Sequence, residues 1–532
     1  MALKSRIFKG LAPWALAAAL ALPCLTFAQA KPTPAPGQPK PGKISEADLQ
    51  KLKMLELKSG ARTKAAETPE VQTLKGAPLS EREKVIHVLN RLSFGPRPGE
   101  VDKVLAEGGW EKWVERQMQP EKVEDAALED ALPQRFPWAK MSLEEIRKQY
   151  KIGENQYNNA ELHKGLPNEV LFRAVMSNRQ FQEVMCDFWR NHFFVNLPGR
   201  DAPTRSWTTT DYEHTVIRRH VFGKFKNMLY ASATHPAMLE YLDNYQSKAN
   251  AWNENYAREV MELHTLGADH YYNETDVLEL SKTLTGWTYD RDLKFVFRPE
   301  WHQPGTKKVL GRMIPAGKEG GEQALYMLAT HPGCAQFISE KLCRYLVNDN
   351  PPPALVRKVA AVFRESGGDL PRVYRAILMS PEFVDRTNYR AKFRTPFEFA
   401  VAALRATNVK VADGTETCAV IAKMGEPLYD CEDPTGFYDQ AESWMDAGVL
   451  TTRWDYAWKM VRGSINGVQV PAEFLSKYSA GTPEESRDRM VHDLIGSDIG
   501  DRTAQMLSKA AAAGDRAQML SVILGSPDFQ QQ

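Results

Sequence analysis

Apolar residues recur every three or four positions along most of the chain, and short breaks rich in proline, glycine or polar residues separate these runs. This spacing is typical of amphipathic helices with one buried face. A capping box, Ser80-Glu81-Arg82-Glu83, precedes the first run and predicts where that helix begins. Further helices are predicted over residues 101–105, 110–118, 143–150, 170–195, 335–347, 354–364 and 370–378.

The stretch from Asn253 to Trp287 holds the densest polar cluster in the chain and predicts two helices joined by a short turn. Gly267 stands where a left-handed residue would end the first helix. Asn273 or Thr275 is suited to begin the second helix, whose apolar stripe is Val277, Leu280, Leu284 and Trp287. At about 100° per residue, one face of the first helix carries Glu254, Asn255, Arg258, Glu259 and Glu262.

One strand pair is predicted. Phe295 and Phe297 alternate with Lys294, Val296 and Arg298, as expected for a strand. Residues 308–314 could form its partner strand, across a connecting loop that contains glycine and proline. The fold class is therefore mainly α, a large multi-helix domain with at most one small β-hairpin. Residues 79–532 form this domain, as one unit or two subdomains, after a linker (31–78) rich in proline and lysine with one short helix near 49–55.

The first thirty residues have the three-part layout of a secretory signal peptide. Basic residues precede an apolar run over residues 11–22, and Ala28-Gln29-Ala30 is typical of a cleavage site. A membrane anchor is the alternative, but the run is shorter than the roughly 20 residues that span a bilayer. A lipoprotein would use Cys24, which follows an unfavourable proline. The sequence therefore predicts a secreted or periplasmic protein.

Composition excludes some classes of partner. The 532 residues are 43% hydrophobic and 25% charged, as in ordinary globular proteins. Cleavage after Ala30 removes three positive charges, which takes the formal net charge from +1 to −2. A chain so close to neutrality has no general field to attract nucleic acid or an anionic membrane. No nucleic-acid partner is predicted, nor any transmembrane segment after the leader.

Five cysteines follow the leader, namely Cys186, Cys334, Cys343, Cys418 and Cys431. In an oxidising compartment Cys418 and Cys431 could form a disulfide bond that closes the loop between them. An odd number leaves at least one thiol free or paired between chains. No CxxC pair occurs, which argues against a zinc ribbon or a thioredoxin-type site. Cys186 and Cys343 lie in helical patterns, where buried inert thiols are expected.

Two segments outside the central stretch carry candidate chemistry. Residues 187–196 place His192 and Asp187 among aromatic residues, about 140° apart on a helix. His192 is either part of a buried hydrogen-bonded network or a metal ligand or acid–base group. In residues 235–247, helix-end capping explains most of the polar side chains. The alternative is a divalent ion held by Asp243 and His235, with Asn244 nearby.

The central polar face also has two interpretations. Glu254–Arg258 and Arg258–Glu262 have the i,i+4 spacing typical of a solvated, salt-bridged face. Alternatively, the face lines a cleft, with Glu259 or Glu262 as general acid–base groups or metal ligands. His264 lies on the apolar face, where a core histidine is expected. No zinc-protease, di-iron, nucleophile-elbow or P-loop motif occurs.

The stretch from Gly425 to Asp446 is rich in proline, glycine and aspartate. It predicts a long ordered loop, or alternatively a calcium site without EF-hand spacing. Trp444, Trp454 and Trp458 follow, either as core residues or as a platform that stacks against sugars.

Two short motifs occur twice. Ala-Thr-His-Pro stands at 233–236 and 329–332, and Ile-Leu-x-Ser-Pro-x-Phe stands at 377–383 and 523–529. They are either helix-boundary motifs, with threonine capping a start and Ser-Pro ending a helix, or traces of a duplicated unit. The repetition of His235 as His331 favours a structural reason for this histidine.

Several motifs together resemble one bacterial family, the domain-of-unknown-function family numbered 1800. The specific ones are Asn-Glu-Asn-Tyr-Ala-Arg-Glu (253–259), Leu-Thr-Gly-Trp (284–287) and the segments 87–105, 187–196, 235–247, 331–347, 366–383, 389–406 and 427–444. The resemblance implies an exported, predominantly helical protein and supplies no activity or cofactor. At His264 an aromatic residue such as phenylalanine is expected in relatives, which supports a core role.

Two hypotheses follow for function. The first is a secreted enzyme with an acid–base or metal-assisted cleft, acting on an unknown small molecule or polymer. The second is a non-catalytic envelope protein that binds a polymer or an envelope protein, with the polar cluster as a structural network. For the enzyme, the catalytic candidates are Glu259, Glu262, His192 and Arg258, the substrate-binding candidates are Asn244, Asn255 and Trp287, and the candidates for a divalent metal are Asp243 and His235.

Overall fold

Helices dominate the structure, as the spacing of apolar residues predicts. A computed structural model describes residues 77–151, 159–197, 203–268, 271–496 and 498–532. Thr73–Gln532 form one compact unit. The predicted leader, its predicted cleavage site and the short helix predicted near residues 49–55 lie outside the described residues.

In the first half of the described chain, one predicted helix divides into two. The helix predicted over 170–195 is broken after Met176, because the carboxylate of Asp125 binds the Ser177 hydroxyl at 2.6 Å and the Asn178 backbone N–H at 2.9 Å. The helices are α1 (Glu81–Leu92), α2 (Glu100–Ala106), α3 (Gly109–Gln117), α4 (Ala126–Arg135), α5 (Leu143–Gln149), α6 (Asn159–Met176), α7 (Gln180–His192), α8 (Pro203–Tyr212), α9 (Phe225–Thr234), α10 (Pro236–Tyr241), α11 (Asn255–Glu262) and α12 (Glu274–Thr283).

A π-helical turn, Glu213–Arg218, continues α8. The predicted capping box at Ser80 is present, and Asn273 rather than Thr275 caps α12. The second half of the described chain contains α13 (Lys318–Thr330), α14 (Pro332–Leu346), α15 (Pro353–Ser366), α16 (Leu370–Leu378), α17 (Pro396–Ala406), α18 (Thr415–Lys423), α19 (Ala447–Val461), α20 (Ala472–Ser476), α21 (Pro483–Leu494), α22 (Asp501–Ala512), α23 (Arg516–Gly525) and α24 (Pro527–Gln530).

The strands pair differently from the prediction. Instead of one hairpin, three antiparallel pairs occur in the described residues, and Phe295–Phe297 pairs with the segment before it. Short local turns make the β1–β2 and β3–β4 pairings, which cost less loop-closure entropy than the longer connection predicted. Trp287 therefore begins a strand instead of ending α12. The pairs are β1 (Trp287–Tyr289) with β2 (Phe295–Phe297), β3 (Lys307–Val309) with β4 (Arg312–Ile314), and β5 (Lys410–Val411) with β6 (Val468–Gln469).

The buried apolar side chains form two clusters. The first is built mainly by α1–α3, α7 and α9–α16, and the second mainly by α4–α6, α17–α19 and α21–α23. Helix α7 contributes Met185 and Trp189 to the first cluster and Val184 to the second. It therefore lies at the seam between the two cores.

The repeated motifs are helix-boundary devices, with one correction. The ring Nδ1 atoms of His235 and His331 accept the backbone N–H of Ala237 at 3.1 Å and of Gly333 at 3.0 Å. Histidine, not the threonine before it, thus caps the start of α10 and of α14. The threonine hydroxyls instead bind carbonyls in the preceding helices.

The cysteines form no disulfide within the described residues, where Cys186, Cys334, Cys343, Cys418 and Cys431 are all free. Cys186 and Cys343 are buried, as predicted. Among the helices described, none is long and apolar enough to cross a membrane.

His331→Ala should lower the free energy of unfolding by about 1 kcal/mol, because α14 loses its cap. His331→Asn should retain most of the stability, since an asparagine side chain can accept the same N–H. Urea unfolding followed by circular dichroism measures both. Equal losses for the two variants would show that the histidine does not act as a cap.

Candidate functional site

The polar face of α11 is a surface ion-pair network. The Arg258 guanidinium donates to Glu274 at 2.8 and 2.7 Å and to Glu254 at 3.4 Å, with about a third of its side chain exposed (34%). Among the described residues, the Glu262 side chain accepts one long bond, of 3.5 Å, from the Tyr272 hydroxyl. Asn255 is exposed at the start of the helix. These contacts match the solvated interpretation of the face.

Glu259 differs from its neighbours on α11. Its side chain is half-buried, and no hydrogen bond or ion pair to it is present in the part of the chain that the structure describes. Burial raises the pKa of its carboxyl, and the charges of Glu262 and Asp433 add to this effect. Glu259 therefore remains a candidate acid–base group at the surface.

His192 and His264 lie together in the first core. Each is 2% exposed, their ring centroids are 6.0 Å apart, and His192 Nε2 donates to the carbonyl of His264 at 3.1 Å. Burial lowers the pKa of His192 well below its usual value. Burial and the nearby Lys341 lower the pKa of His264 to about 3. Both rings are therefore neutral core residues at physiological pH.

The remaining predicted residues lie apart from these histidines in structural roles. His235 uses Nδ1 as the helix cap, and its Nε2 binds Asp211 at 2.9 Å. The buried Asn244 side chain donates to the carbonyls of Leu284 and Trp287. Trp287 itself is fully buried.

Asp243 occupies a left-handed turn with φ 58° beside an open surface pocket. Within the described ranges, no group of three or more His, Cys, Asp and Glu side chains is arranged to hold a metal ion. The metal role predicted for Asp243 and His235 thus has no third ligand in the described structure.

A different polar site lies at the seam between the two cores. It is a small, partly open cavity of about 40 Å³ between α7 and the loop that follows α18. At 10–15 Å³ per water, this is room for about three water molecules. Carboxyl, guanidinium and aromatic groups line it together, from Asp187, Phe188, Arg190, Asn191, Phe194, Tyr345, Thr395, Glu426, Leu428, Tyr429, Phe437, Tyr438 and Asp439.

Asp187 is the first carboxyl of this cavity. Its Oδ1 accepts a bond of 2.9 Å from Arg190, and its Oδ2 accepts a longer one of 3.4 Å from the Tyr345 hydroxyl. Burial raises its pKa to about 7, although Arg190 opposes the shift and nearby Glu398 adds to it. Asp187 therefore exchanges its proton near neutral pH.

Glu426 is the second carboxyl and comes from another element, just after α18. It is 6% exposed, and its Oε2 accepts the Phe397 backbone N–H at 2.7 Å. Burial raises its pKa to about 8, and the charge of Asp187 raises it further. The charge of Asp187 thus reaches Glu426, and the charge of Glu398 raises the pKa of both carboxyls.

Arg190 connects the cavity to a buried ion-pair network. Its guanidinium binds Glu213 of the π turn through two bonds of 3.0 and 3.1 Å. Burial alone would lower the pKa of Arg190, but Glu213 outweighs it and raises that pKa well above the usual value. Tyr429 donates to the same Glu213 at 2.8 Å, and Arg218 pairs with Glu183 at 2.6 Å.

The loop after Glu426, residues 427–446, closes the cavity and is hereafter the closing loop. The Asn191 side-chain amide makes two bonds of 2.7 Å to the backbone N–H and carbonyl of Phe437. The closing loop approaches α7 so closely at Gly436, with φ 76°, that a Cβ there would lie 2.7 Å from the Asn191 carbonyl. Glycine at this position therefore permits the closure.

Sequence reasoning identified parts of this site without joining them. Asp187 stood in a motif considered for a buried network, and Glu426 stood in a segment interpreted as a loop or calcium site. Spacing along one helix could not connect them, because 239 positions separate the two residues in the sequence. The only available signal was that both segments belong to the motifs of the family resemblance or adjoin them.

The chain belongs to the family whose model is described as protein of unknown function (DUF1800), which matches residues 87–531. This confirms the resemblance seen in the sequence motifs. Among curated proteins and among solved structures, none matches the chain.

Arg190→Gln should lower the free energy of unfolding by about 3–5 kcal/mol, since it leaves Glu213 buried without its partner. The matched control is Arg258→Gln on α11, where the ion pairs are solvated and the change should be small. Urea unfolding at neutral pH measures both variants. Similar losses at the two positions would contradict the contrast between a buried and a surface network.

His264 should make stability depend on pH. Because its folded pKa lies below the unfolded value of 6.5, its contribution is complete above that value and is lost as the pH falls. For a folded pKa of about 3, the loss on going to pH 5 is about 2 kcal/mol. His264→Phe should remove this part of the dependence and keep the core filled. An unchanged pH dependence of the urea midpoint would contradict the buried neutral histidine.

Proposed function

We propose that this chain is an enzyme that uses general acid–base catalysis, with Asp187 and Glu426 as the two proton-transferring carboxyls. The observation that carries the proposal is that two carboxyls from separate elements line one small cavity, with Glu426 buried and the Asp187 side chain only 16% exposed. Their pKa values of about 7 and about 8 suit groups that must both give and take protons near neutrality.

The reaction class that fits this pair is hydrolysis. Asp187, the stronger acid and the one held by Arg190, would be ionised first and accept a proton from water. Glu426 would remain protonated and donate its proton to the leaving group. The hydroxide equivalent bonds to the carbon or phosphorus that the leaving group departs from, so protons and charges balance. Arg190 keeps the Asp187 carboxylate oriented throughout.

The size of the cavity limits which part of a substrate can enter. Space for about three water molecules admits the water and the bond to be cleaved, while the body of the substrate stays outside. The side chain of Tyr438 is 62% exposed on the closing loop and marks the outer wall. A larger substrate would contact this loop.

The proposal also covers where the enzyme acts and whether its reaction needs a metal ion. The layout of the first thirty residues supports action outside the cytoplasm, in the periplasm or the medium. The two carboxyls suffice for the proton transfers described, so no step needs a divalent ion at Asp243 or His235.

A second candidate is a non-catalytic envelope protein that binds a polymer or another envelope protein. The closed pairing among Arg190, Glu213, Arg218 and Glu183 favours it, since a fully satisfied buried network can serve to fix helix register. The carboxyl of Glu426 favours the enzyme, because no ion pair to it is present among the described residues, whereas Asp187 is paired with Arg190 at 2.9 Å.

Asp187→Asn and Glu426→Gln should each lower hydrolysis by about 100-fold or more, as expected for loss of an acid–base group. The protein would be assayed on chromogenic esters, glycosides and phosphate esters. Wild-type kcat/KM should peak between pH about 7 and about 8, between the two pKa values. The matched controls Glu259→Gln and Glu262→Gln should retain activity.

Two results would refute the proposal. One is hydrolytic activity that survives both cavity substitutions. The other is activity lost only in the α11 variants, which would identify Glu259 and Glu262 as the catalytic residues. If no substrate in the panel is cleaved, infrared spectroscopy of the carboxyl groups tests whether Asp187 and Glu426 titrate near neutral pH. Asp187→Asn and Glu426→Gln should each remove one carboxyl that titrates near neutrality, and a spectrum unchanged by both overturns the proposed site.

A further inference from the structure

Arg190 leaves little positive charge free inside the cavity between α7 and the closing loop. Its Nε and one Nη donate to Glu213 at 3.0 and 3.1 Å, and its other Nη donates to Asp187 at 2.9 Å. It is the only cation among the described residues that line the cavity. Phosphoryl transfer depends on cations directed at the phosphate oxygens. The lining side chains leave no unpaired cation for that role.

Three neutral polar side chains of the lining are also occupied. The Asn191 amide makes two bonds of 2.7 Å to the backbone of the closing loop, and the Tyr429 hydroxyl donates to the carboxylate of the π turn. The Thr395 hydroxyl accepts the Glu398 N–H at 3.2 Å as the cap of α17 and also hydrogen-bonds to Glu426. Cleavage of esters and amides relies on a nucleophile or on donors to an oxyanion. These three side chains are held in other roles.

The composition of the cavity suits cleavage of a glycosidic bond, which needs neither a free cation nor an oxyanion site. Such cleavage uses a pair of carboxyls, and its transition state carries positive charge on the sugar. Asp187 and Glu426 supply the carboxyls. Aromatic faces attract positive charge, and six aromatic side chains line the cavity, namely Phe188, Phe194, Tyr345, Tyr429, Phe437 and Tyr438.

Tyr438 is the aromatic residue that both lines the cavity and reaches solvent. At 62%, it is the most exposed large hydrophobic side chain among the described residues. Its backbone carbonyl accepts the Trp444 Nε1–H at 2.9 Å, which fixes the backbone of the closing loop here. Its own ring and hydroxyl have no partner within the described ranges. A substrate whose body stays outside the cavity therefore has a free aromatic ring to lie against.

The tryptophans considered for sugar stacking do not offer such a ring. The guanidinium of Arg462 lies 3.3 Å from the ring centroid of Trp458, and Trp454 stacks on the same ring with centroids 6.2 Å apart. Trp444 is buried. Tyr438 instead presents an uncovered ring at the mouth of the cavity, next to the two carboxyls.

We propose that the cavity hydrolyses glycosides, with Tyr438 stacking against the sugar ring next to the cleaved bond; this inference rests on the acid–base function proposed above. Glu426 gives its proton to the glycosidic oxygen as the bond from that oxygen to the anomeric carbon breaks. Asp187 takes a proton from water, and the water oxygen bonds to the anomeric carbon. The products are an alcohol and a sugar with a free anomeric hydroxyl. Proton exchange with solvent then restores both carboxyls.

Kinetics of the intact protein test the proposal. The substrates are 4-nitrophenyl glycosides of glucose, galactose, xylose and N-acetylglucosamine in both anomeric forms, with starch, xylan and glycol chitin followed by release of reducing ends. Glycosides should be cleaved, whereas 4-nitrophenyl acetate and phosphate should react no faster than with Asp187→Asn. Tyr438→Ala should raise KM about tenfold with kcat nearly unchanged, because stacking is lost. Tyr438→Phe should retain the wild-type KM. The matched control is Tyr326→Ala on α13, 55% exposed and outside the cavity.

The opposite results overturn either the substrate class or the acid–base pair. Esters or phosphates cleaved in place of glycosides, with loss in Asp187→Asn and Glu426→Gln, would refute glycosides and leave the pair standing. Glycoside cleavage that survives both substitutions would refute the pair. A KM unchanged in Tyr438→Ala, or raised equally in Tyr326→Ala, would refute stacking on Tyr438. A panel in which no glycoside is cleaved refutes glycoside hydrolysis, while the infrared titration still tests the two carboxyls.

Discussion

The buried guanidinium of Arg190 is the interaction on which the site depends. A charge this deeply buried persists only when it is paired and hydrogen-bonded, and Arg190 meets that condition with Glu213 on one side and Asp187 on the other. Glu213 also accepts the Tyr429 hydroxyl. One guanidinium therefore couples α7, the π turn and the closing loop, and it fixes where the first cavity carboxyl lies.

The position of the cavity follows from the two cores. Apolar side chains of α7 fill both clusters, so its polar residues are confined to the seam. The seam excludes bulk water but cannot be filled by apolar groups alone. The loss of hydration raises the pKa of carboxyls placed there. Asp187 lies at the seam with its cation, and Glu426 lies there with mainly backbone and hydroxyl partners. The difference between the two environments is what makes an acid–base pair chemically reasonable.

Sequence and structure agree best where a feature is local. The helical spacing, the capping box at Ser80 and the left-handed Gly267 depend on residues within a few positions of one another, and all are present. Of the predicted i,i+4 pairs on the face around Arg258, the one with Glu254 is present and the one with Glu262 is absent from the described structure, while a shorter pair to Glu274 of α12 replaces it. The prediction was least accurate for the strands, where two tight turns replaced one longer connection, and for the break after Met176, which depends on Asp125 from a distant helix.

The sequence by itself determined that the protein is mainly helical, which family it belongs to, and that His264 is a neutral core residue. Each of these follows from residues close together in the sequence: helical periodicity, family motifs and apolar neighbours. Only the tertiary structure decided which polar residues meet. Asp187 lies on α7 and Glu426 in the segment just after α18, and they share a cavity because the closing loop folds back onto α7 at Gly436. Burial and charge act through space, so the chemistry of this site exists only once the chain has brought its distant parts together.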